Sequence, residues 1–326
     1  MIVGGGVLVG VSSALVVLGQ PLKGKLFLGN SSIFQIHDKE WRDEIRLGKS
    51  SLTGKKCHAD QTYSSEQLRL LFNECKYPLI RQSSNQSTLA FVGDSHAESL
   101  LKAEETLTNS GFRVIHYSHS GCPFPIPPHG INPPECNKFL INAENKIFQD
   151  LKSGDSIVIY NYHLSHLGDQ SLKDTRHNIF NRNNDIVSDS PTKIDLYMNG
   201  LNRLSKKAYK KSISIYLIGS AYRNNDFELI RKWFRPYSPA LKTLLEEAGN
   251  AKKLNQILSK KIKDSSLANV IFVNPLQIID HSCGRDVETY LVCFRDSDHM
   301  SDKSSKELLN YLMRNYLIPL NDQDIL

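Results

Sequence analysis

The spacing of apolar positions changes character near residue 87. Before it the chain is mostly polar and weakly periodic; after it, short apolar runs alternate with longer amphipathic stretches. The runs Thr88 to Val92, Arg113 to Tyr117, Ser156 to Tyr160, Ser214 to Ile218 and Val270 to Val273 are too short for helices and rich in β-branched and aromatic residues, which predicts strands. Segments near Ala97 to Asn109, Glu135 to Leu151, Ile194 to Tyr209 and Pro239 to Ile262 predict helices between them. A last helix runs from about Asp302 to Tyr316, with Ser301 placed to cap it. Strands that alternate with helices imply crossover connections, so the expected fold is α/β: a parallel sheet with helices on both faces, in three layers. Ligands of such sheets bind beyond the carboxyl ends of the strands.

Two regions depart from this pattern. Residues 1 to 22 carry no charge, and Ile2 to Gly19 is apolar or small throughout, about the length that crosses a bilayer as a helix. A secretory signal would need a basic start and a small-x-small cleavage site, and neither is evident. A buried helix of a soluble core is disfavoured by the glycine and valine content. We read the segment as one transmembrane helix, either an uncleaved anchor or the last span of a longer protein. Residues 23 to 86 then form a linker and a small cysteine-containing subdomain, residues 87 to 319 the α/β domain, and residues 320 to 326 a tail. Within the α/β domain, Leu164 to Thr192 is polar and rich in Asn and Asp, which predicts a lid or binding loop, or a disordered stretch, rather than packed core.

Composition narrows the compartment more than the chemistry. The 326 residues carry a net charge of +6, from 40 basic and 34 acidic side chains spread along the chain. No basic tract interleaved with aromatics is present, so nucleic acid is not an expected partner. Lys23, Lys25, Arg42 and Arg46 follow the apolar start, which by the positive-inside tendency would leave the domain in the cytoplasm. The six cysteines argue the opposite. They fall as neighbours, Cys57 with Cys75, Cys122 with Cys136, and Cys283 with Cys293, and none has the spacing of a CxxC zinc site. Six cysteines admit fifteen connectivities, so pairing stays open. An even count at loop-closing distances nevertheless suits an oxidising compartment. If upstream helices exist, the charge rule applied to this segment alone is uninformative, and the cysteines decide for the extracytoplasmic side.

Candidate chemistry comes from two short motifs. Gly93-Asp94-Ser95-His96 follows the first predicted strand and opens a helix, which puts the Ser95 hydroxyl at the carboxyl edge of the sheet beside the positive end of a helix. Asp296-Ser297-Asp298-His299 lies in a loop just before the last helix. A serine hydroxyl needs a base within hydrogen-bond reach and donors aimed at the developing oxyanion. Ser95 as nucleophile, His299 as base and Asp296 as the orienting carboxylate meet the first need in residue type. Taken singly, Ser95 reads as a turn serine and the second motif as a solvated acidic loop; together, at the first strand's end and before the last helix, they point to an acyl-transfer or hydrolytic site.

Gly93-Asp94-Ser95-His96 and Asp296-x-x-His299 resemble the first and last sequence blocks of the SGNH hydrolase superfamily. Cys122-Pro123 after the second strand, Cys136 beyond it, and Cys283 to Cys293 leading into Asp-x-Asp-His-Met-Ser make the chain, from roughly Cys75 onward, similar to the SGNH domain fused to membrane acyltransferases of family 3. The resemblance implies a flavodoxin-like sheet of the SGNH type and a Ser-His-Asp acyl-enzyme. It implies O-acetyl transfer to an extracytoplasmic or cell-surface glycan, with the acyl group delivered by a membrane acyltransferase domain or partner, and no cofactor. It gives Ser95 a second role as oxyanion donor through its backbone N–H, and offers Gly121 and Asn161 as the other donors. The family's Gly-x-Asn-Asp block is absent; the third strand is followed by Asn161-Tyr162-His163. A carbohydrate esterase using the same triad, and a non-catalytic glycan-binding domain, are the alternative readings.

Among the other histidines, His116 and His119 with His129 nearby, and the pair His163 and His166, have spacings a metal could use. No carboxylate or thiolate completes a set, so no metal site is expected, and His163 and His166 are read as walls of the cleft. Tyr117, Tyr160, Tyr162 and Tyr222 lie near predicted strand ends, where aromatic rings could floor a sugar site.

Overall fold

The structure, a computed structural model, describes residues 57–60, 62–76, 87–168, 179–221, 240–282, 293–294 and 298–317. Its centre is a six-stranded sheet in the order β1-β3-β2-β4-β5-β6. The strands are β1 (His58–Ala59), β2 (Thr88–Gly93), β3 (Arg113–His119), β4 (Ser156–Tyr160), β5 (Ser214–Ile218) and β6 (Val270–Val273), and every pairing is parallel. Without the two-residue edge strand, this is the flavodoxin-like order, and the direction of winding reverses at β2. All six residues of β2 and all five of β4 are buried, as expected for strands covered on both faces.

The helices are α1 (Ser65–Glu74), α2 (Ser95–Glu98), α3 (Glu104–Asn109), α4 (Pro134–Asp150), α5 (His163–Leu167), α6 (Ser190–Tyr209), α7 (Ala240–Asp264), α8 (Leu276–Ser282) and α9 (Asp302–Leu312). Local chemistry explains several ends. Ser64 and Gln67 form a reciprocal capping box at α1. Proline opens α4, where its missing N–H costs nothing. Asp189 caps α6, and Ser301 caps α9 by accepting from Ser304 N at 3.3 Å.

Three expectations are corrected. The helix expected from Ala97 to Asn109 is two short pieces, because the Ser99 hydroxyl takes the His96 carbonyl at 2.6 Å and the chain continues through turns to α3. The segment 57–76 does not stand apart. β1 pairs with β3, the Cys57–Cys75 disulfide joins that strand to the end of α1, and Phe72 packs on Tyr117 and Phe139 of the main core. The expected loop Leu164 to Thr192 is in part ordered, since α5 occupies its start and Ile179 and Val187 are buried around a small antiparallel bridge; residues 169–178 lie outside the described residues. So does the expected transmembrane segment 1 to 22; among the described residues no helix is long and apolar enough to cross a membrane.

A run of buried polar side chains lies along the β1–β3 edge. Glu104 Oε1 accepts from His116 Nδ1 at 2.6 Å, His116 Nε2 meets the Ser118 hydroxyl at 2.8 Å, and Ser118 meets His58 Nδ1 at 3.0 Å. Burial holds the imidazoles of His58 and, elsewhere, His163 down at about 4, outweighing the nearby carboxylates Glu98 and Asp94. Both titrate near 6.5 when unfolded, so between about 6.5 and about 4 the unfolded chain binds more protons and stability falls as pH falls. Urea unfolding measured across this range should show the loss, on the order of 3 kcal/mol per histidine by the linkage of pKa to free energy; a flat profile down to pH 4 would contradict it.

Candidate active site

The site grows from the turn between β2 and α2, where the winding of the sheet reverses. Gly93 ends β2 against β4 so closely that a Cβ there would overlap the Tyr160 carbonyl oxygen. Only glycine fits, and the close approach puts Asp94 and Ser95 at the carboxyl edge. Asp94 caps α2 through a 2.8 Å bond from His96 N to Oδ1. Ser95 is therefore the first residue of a helical turn, and its hydroxyl lies 2.8 Å from His299 Nε2, a contact across 204 residues of sequence.

Asp94 has more partners than a cap requires. Its Oδ2 accepts from Tyr162 N at 2.9 Å and from His166 Nε2 at 2.7 Å, with both side chains of the last pair essentially fully buried. Burial alone would raise this carboxyl. The His166 hydrogen bond, the imidazoles of His96 and His166 and the Tyr162 N–H overcome it, and hold Asp94 well below the usual carboxylate range. Asp94 therefore joins the Ser95 turn to the segment after β4. Its place before the serine was visible in the sequence, but nothing there paired it with His166.

His299 arrives on the loop before α9. Its Nδ1 is 3.9 Å from Asp298 Oδ1, and Asp298 Oδ2 accepts from His96 Nε2 at 3.3 Å. His96 lies between rings: stacked on Tyr162 at 4.6 Å, edge-on to Tyr160 at 5.4 Å, and tilted against His299 at 4.8 Å. The expected orienting carboxylate, Asp296, lies outside the described residues. His96 and Asp298 were missed in sequence reading, because their only signal was adjacency to Ser95 and His299.

Of the two expected auxiliary oxyanion donors, Gly121 follows β3 at the carboxyl edge with a φ of 70°, a left-handed conformation suited to glycine. Asn161 is corrected. Its Nδ2 donates to the Phe124 carbonyl at 2.7 Å and to the Tyr197 hydroxyl at 3.4 Å, while its Oδ1 accepts from Phe124 N at 3.0 Å. The amide is thus engaged with the loop after β3 and with Tyr197 of α6, in bonds of the scaffold. His163 and His166 are likewise not cleft walls: both are fully buried, His163 donating to the Ile218 carbonyl at 3.1 Å and His166 to Asp94. Tyr117 and Tyr160 are core rings with no exposed surface, not a sugar floor, because their strands are covered on both faces. Tyr162 supports His96, and Tyr222 lies outside the described residues.

Among the described residues, two groupings have metal-ligand atoms within 4.8 Å of one another: His119 with Cys122 and Cys136, and His96 with Asp298 and His299. In the first, the cysteines are joined as a disulfide, which leaves one histidine. In the second, Asp298 already bonds His96 and His299 already bonds Ser95. Cys293 is also disulfide-bonded, and among the described residues no cysteine is free.

The turn-borne serine, the histidine before the last helix and the parallel sheet define an enzyme of the SGNH hydrolase type. The family model described as the SGNH domain fused to AT3 domains matches residues 56–314, and the chain belongs to that family. Among curated proteins none matches. Similar solved structures include a GDSL-like lipase from Bacteroides thetaiotaomicron, at 11% identity over 73% of this chain and 91% of that one, with a TM-score of 0.41. A variant of an acetyl-xylooligosaccharide esterase from Geobacillus stearothermophilus is similar at 13% identity, over 73% of this chain and 98% of that one, with a TM-score of 0.41.

The bonds of Asn161 make a prediction that separates scaffold from oxyanion donor. Asn161→Ala should lower unfolding free energy by about 2–4 kcal/mol, since it strands buried partners at Phe124. Denaturant melts will show this; a variant with unchanged stability but sharply lower turnover would return Asn161 to the oxyanion hole.

Proposed function

We propose that this protein is an O-acyltransferase that moves an acyl group, in the first instance acetyl, onto a hydroxyl of an extracytoplasmic or cell-surface glycan through an acyl-enzyme on Ser95. The observation that carries the reading is the 2.8 Å contact between Ser95 Oγ and His299 Nε2 at the carboxyl edge of the sheet. In the first half-reaction, His299 takes the hydroxyl proton as Oγ bonds to the acyl carbon, and then returns it to the leaving group. In the second, a sugar hydroxyl gives its proton to His299 as its oxygen attacks the acyl carbon; the acyl–Oγ bond then breaks and Oγ takes that proton back from His299, which restores Ser95. In this reading Asp296 is the orienting carboxylate, and the backbone N–H groups of Ser95 and Gly121 are the oxyanion donors.

The acceptor and the compartment rest on other support. The Cys57–Cys75 and Cys122–Cys136 disulfides suit an oxidising compartment. The family's fusion to AT3 domains supports a membrane-side source of the acyl group and an extracytoplasmic site. Membrane attachment through residues 1 to 22 is part of the same proposal.

A serine-reactive fluorophosphonate should label Ser95 in folded protein, and Ser95→Ala and His299→Ala should each lower turnover of an acetyl ester by at least about three orders of magnitude. An unlabelled Ser95 in folded protein would sink the enzymatic mechanism and leave the glycan-binding reading. Adding an acetylatable oligosaccharide should divert acyl groups from water to sugar, as read by mass spectrometry of products. Hydrolysis alone, at every sugar concentration, would make the protein a carbohydrate esterase instead.

A further inference from the structure

One carboxylate beside His299 lies outside the proposed triad. Asp298 precedes His299 directly, and its side chain is only 16% exposed. Its Oδ2 accepts from His96 Nε2 at 3.3 Å; a carboxylate can only accept, so that nitrogen carries the hydrogen. Its Oδ1 lies 3.9 Å from His299 Nδ1, too long for a hydrogen bond but close enough for an opposite charge to favour the ionised ring.

His96 makes this arrangement specific. The ring is 1% exposed, lies nearly parallel to Tyr162 at an interplanar angle of 15°, and meets Tyr160 at 82°. Its backbone N–H is bound to Asp94. A ring clamped this way holds its Nε2–H in one direction, and the carboxylate that accepts from it is held as well. The residue after the nucleophile thereby fixes the residue before the base.

We propose that Asp298, held by His96, is a positioning residue that stabilises the imidazolium of His299 electrostatically and so strengthens it as a base. The inference rests on the reading of His299 as the base. When the Ser95 proton reaches Nε2, the O–H electron pair becomes the new bond to the acyl carbon and the ring gains a positive charge. Among the described residues, the groups that meet that ring are the Ser95 hydroxyl, the His96 ring at 4.8 Å and Asp298 on the loop itself; Asp94, Tyr160 and Tyr162 lie one step back, around His96, and His166 beyond them on Asp94. Asp94 is already shared among three donors. Asp298 is the described carboxylate within 4 Å of the ring.

The test is a pH titration of the His299 ring by NMR of protein labelled with ¹⁵N-histidine, with His299→Gln used for assignment. Asp298→Asn, which keeps the shape, should move the midpoint down by about one pH unit, a tenfold change in proton affinity. An unchanged or raised midpoint in folded protein would overturn the proposal. The effect of Asp298→Asn should shrink in a His96→Phe background, where the stack survives but the donor is gone; an undiminished effect would remove His96 from it. The titration needs no turnover, so failure of fluorophosphonate labelling at Ser95 would strike the enzymatic reading while this measurement still decides the charge coupling.

Discussion

A buried carboxylate at residue 94 holds the site together. Removing an ion of this kind from water costs several kcal/mol unless donors replace the solvent. Here three do: the His96 N–H, the Tyr162 N–H and His166 Nε2, at 2.7 to 2.9 Å. The first belongs to the turn that carries Ser95 and the other two to the continuous segment from the exit of β4 into α5, so satisfying the charge locks the turn to that segment. The depressed titration of Asp94 says the same thing thermodynamically. Its contribution is present above the ordinary carboxylate range and is lost only as pH falls below that range toward the folded value.

The other half of the site is brought in by α9. Ser305 Oγ donates to the Ser99 carbonyl at 2.9 Å, and Lys102 meets Asp302 at 2.7 Å, so the start of α9 is bound to the chain just beyond α2. Ser301 N donates to the Cys293 carbonyl at 2.8 Å, and Phe294 bridges Met300, which closes the loop carrying His299 on itself. Through these contacts the base is positioned relative to the nucleophile by the same short helices that present the nucleophile.

The histidines divide by environment. His58, His116 and His163 lie where burial and fixed partners make them structural, whereas His299 is partly exposed beside Ser95. His96 and His166 lie between these cases, buried like the first group but bonded to the two aspartates that flank the reacting pair. Spacing along the chain could not sort them. His163 and His166 looked like cleft residues because they follow a strand at the carboxyl edge, but α5 turns both inward. The family resemblance offered Asn161, after the third long strand, as an oxyanion donor, and the loop at Phe124 takes its amide.

The sequence by itself determined the alternation of strands and helices, the position of Ser95 after the first long strand, and the partnership of a distant histidine motif. These follow from local propensity, periodicity and residue chemistry, which act over a few residues. The two-residue strand at His58 carried no period to detect and exists because β3 offers it an edge. Only the tertiary structure decided that Asp94 would join the Ser95 turn to the segment after β4, that His96 would hold Asp298, and that Asn161 would serve the scaffold. Those outcomes depend on which hydrogen-bonding groups become buried beside one another. In a parallel sheet, neighbours at the carboxyl edge are separated by whole crossover helices, so no local pattern records who meets whom.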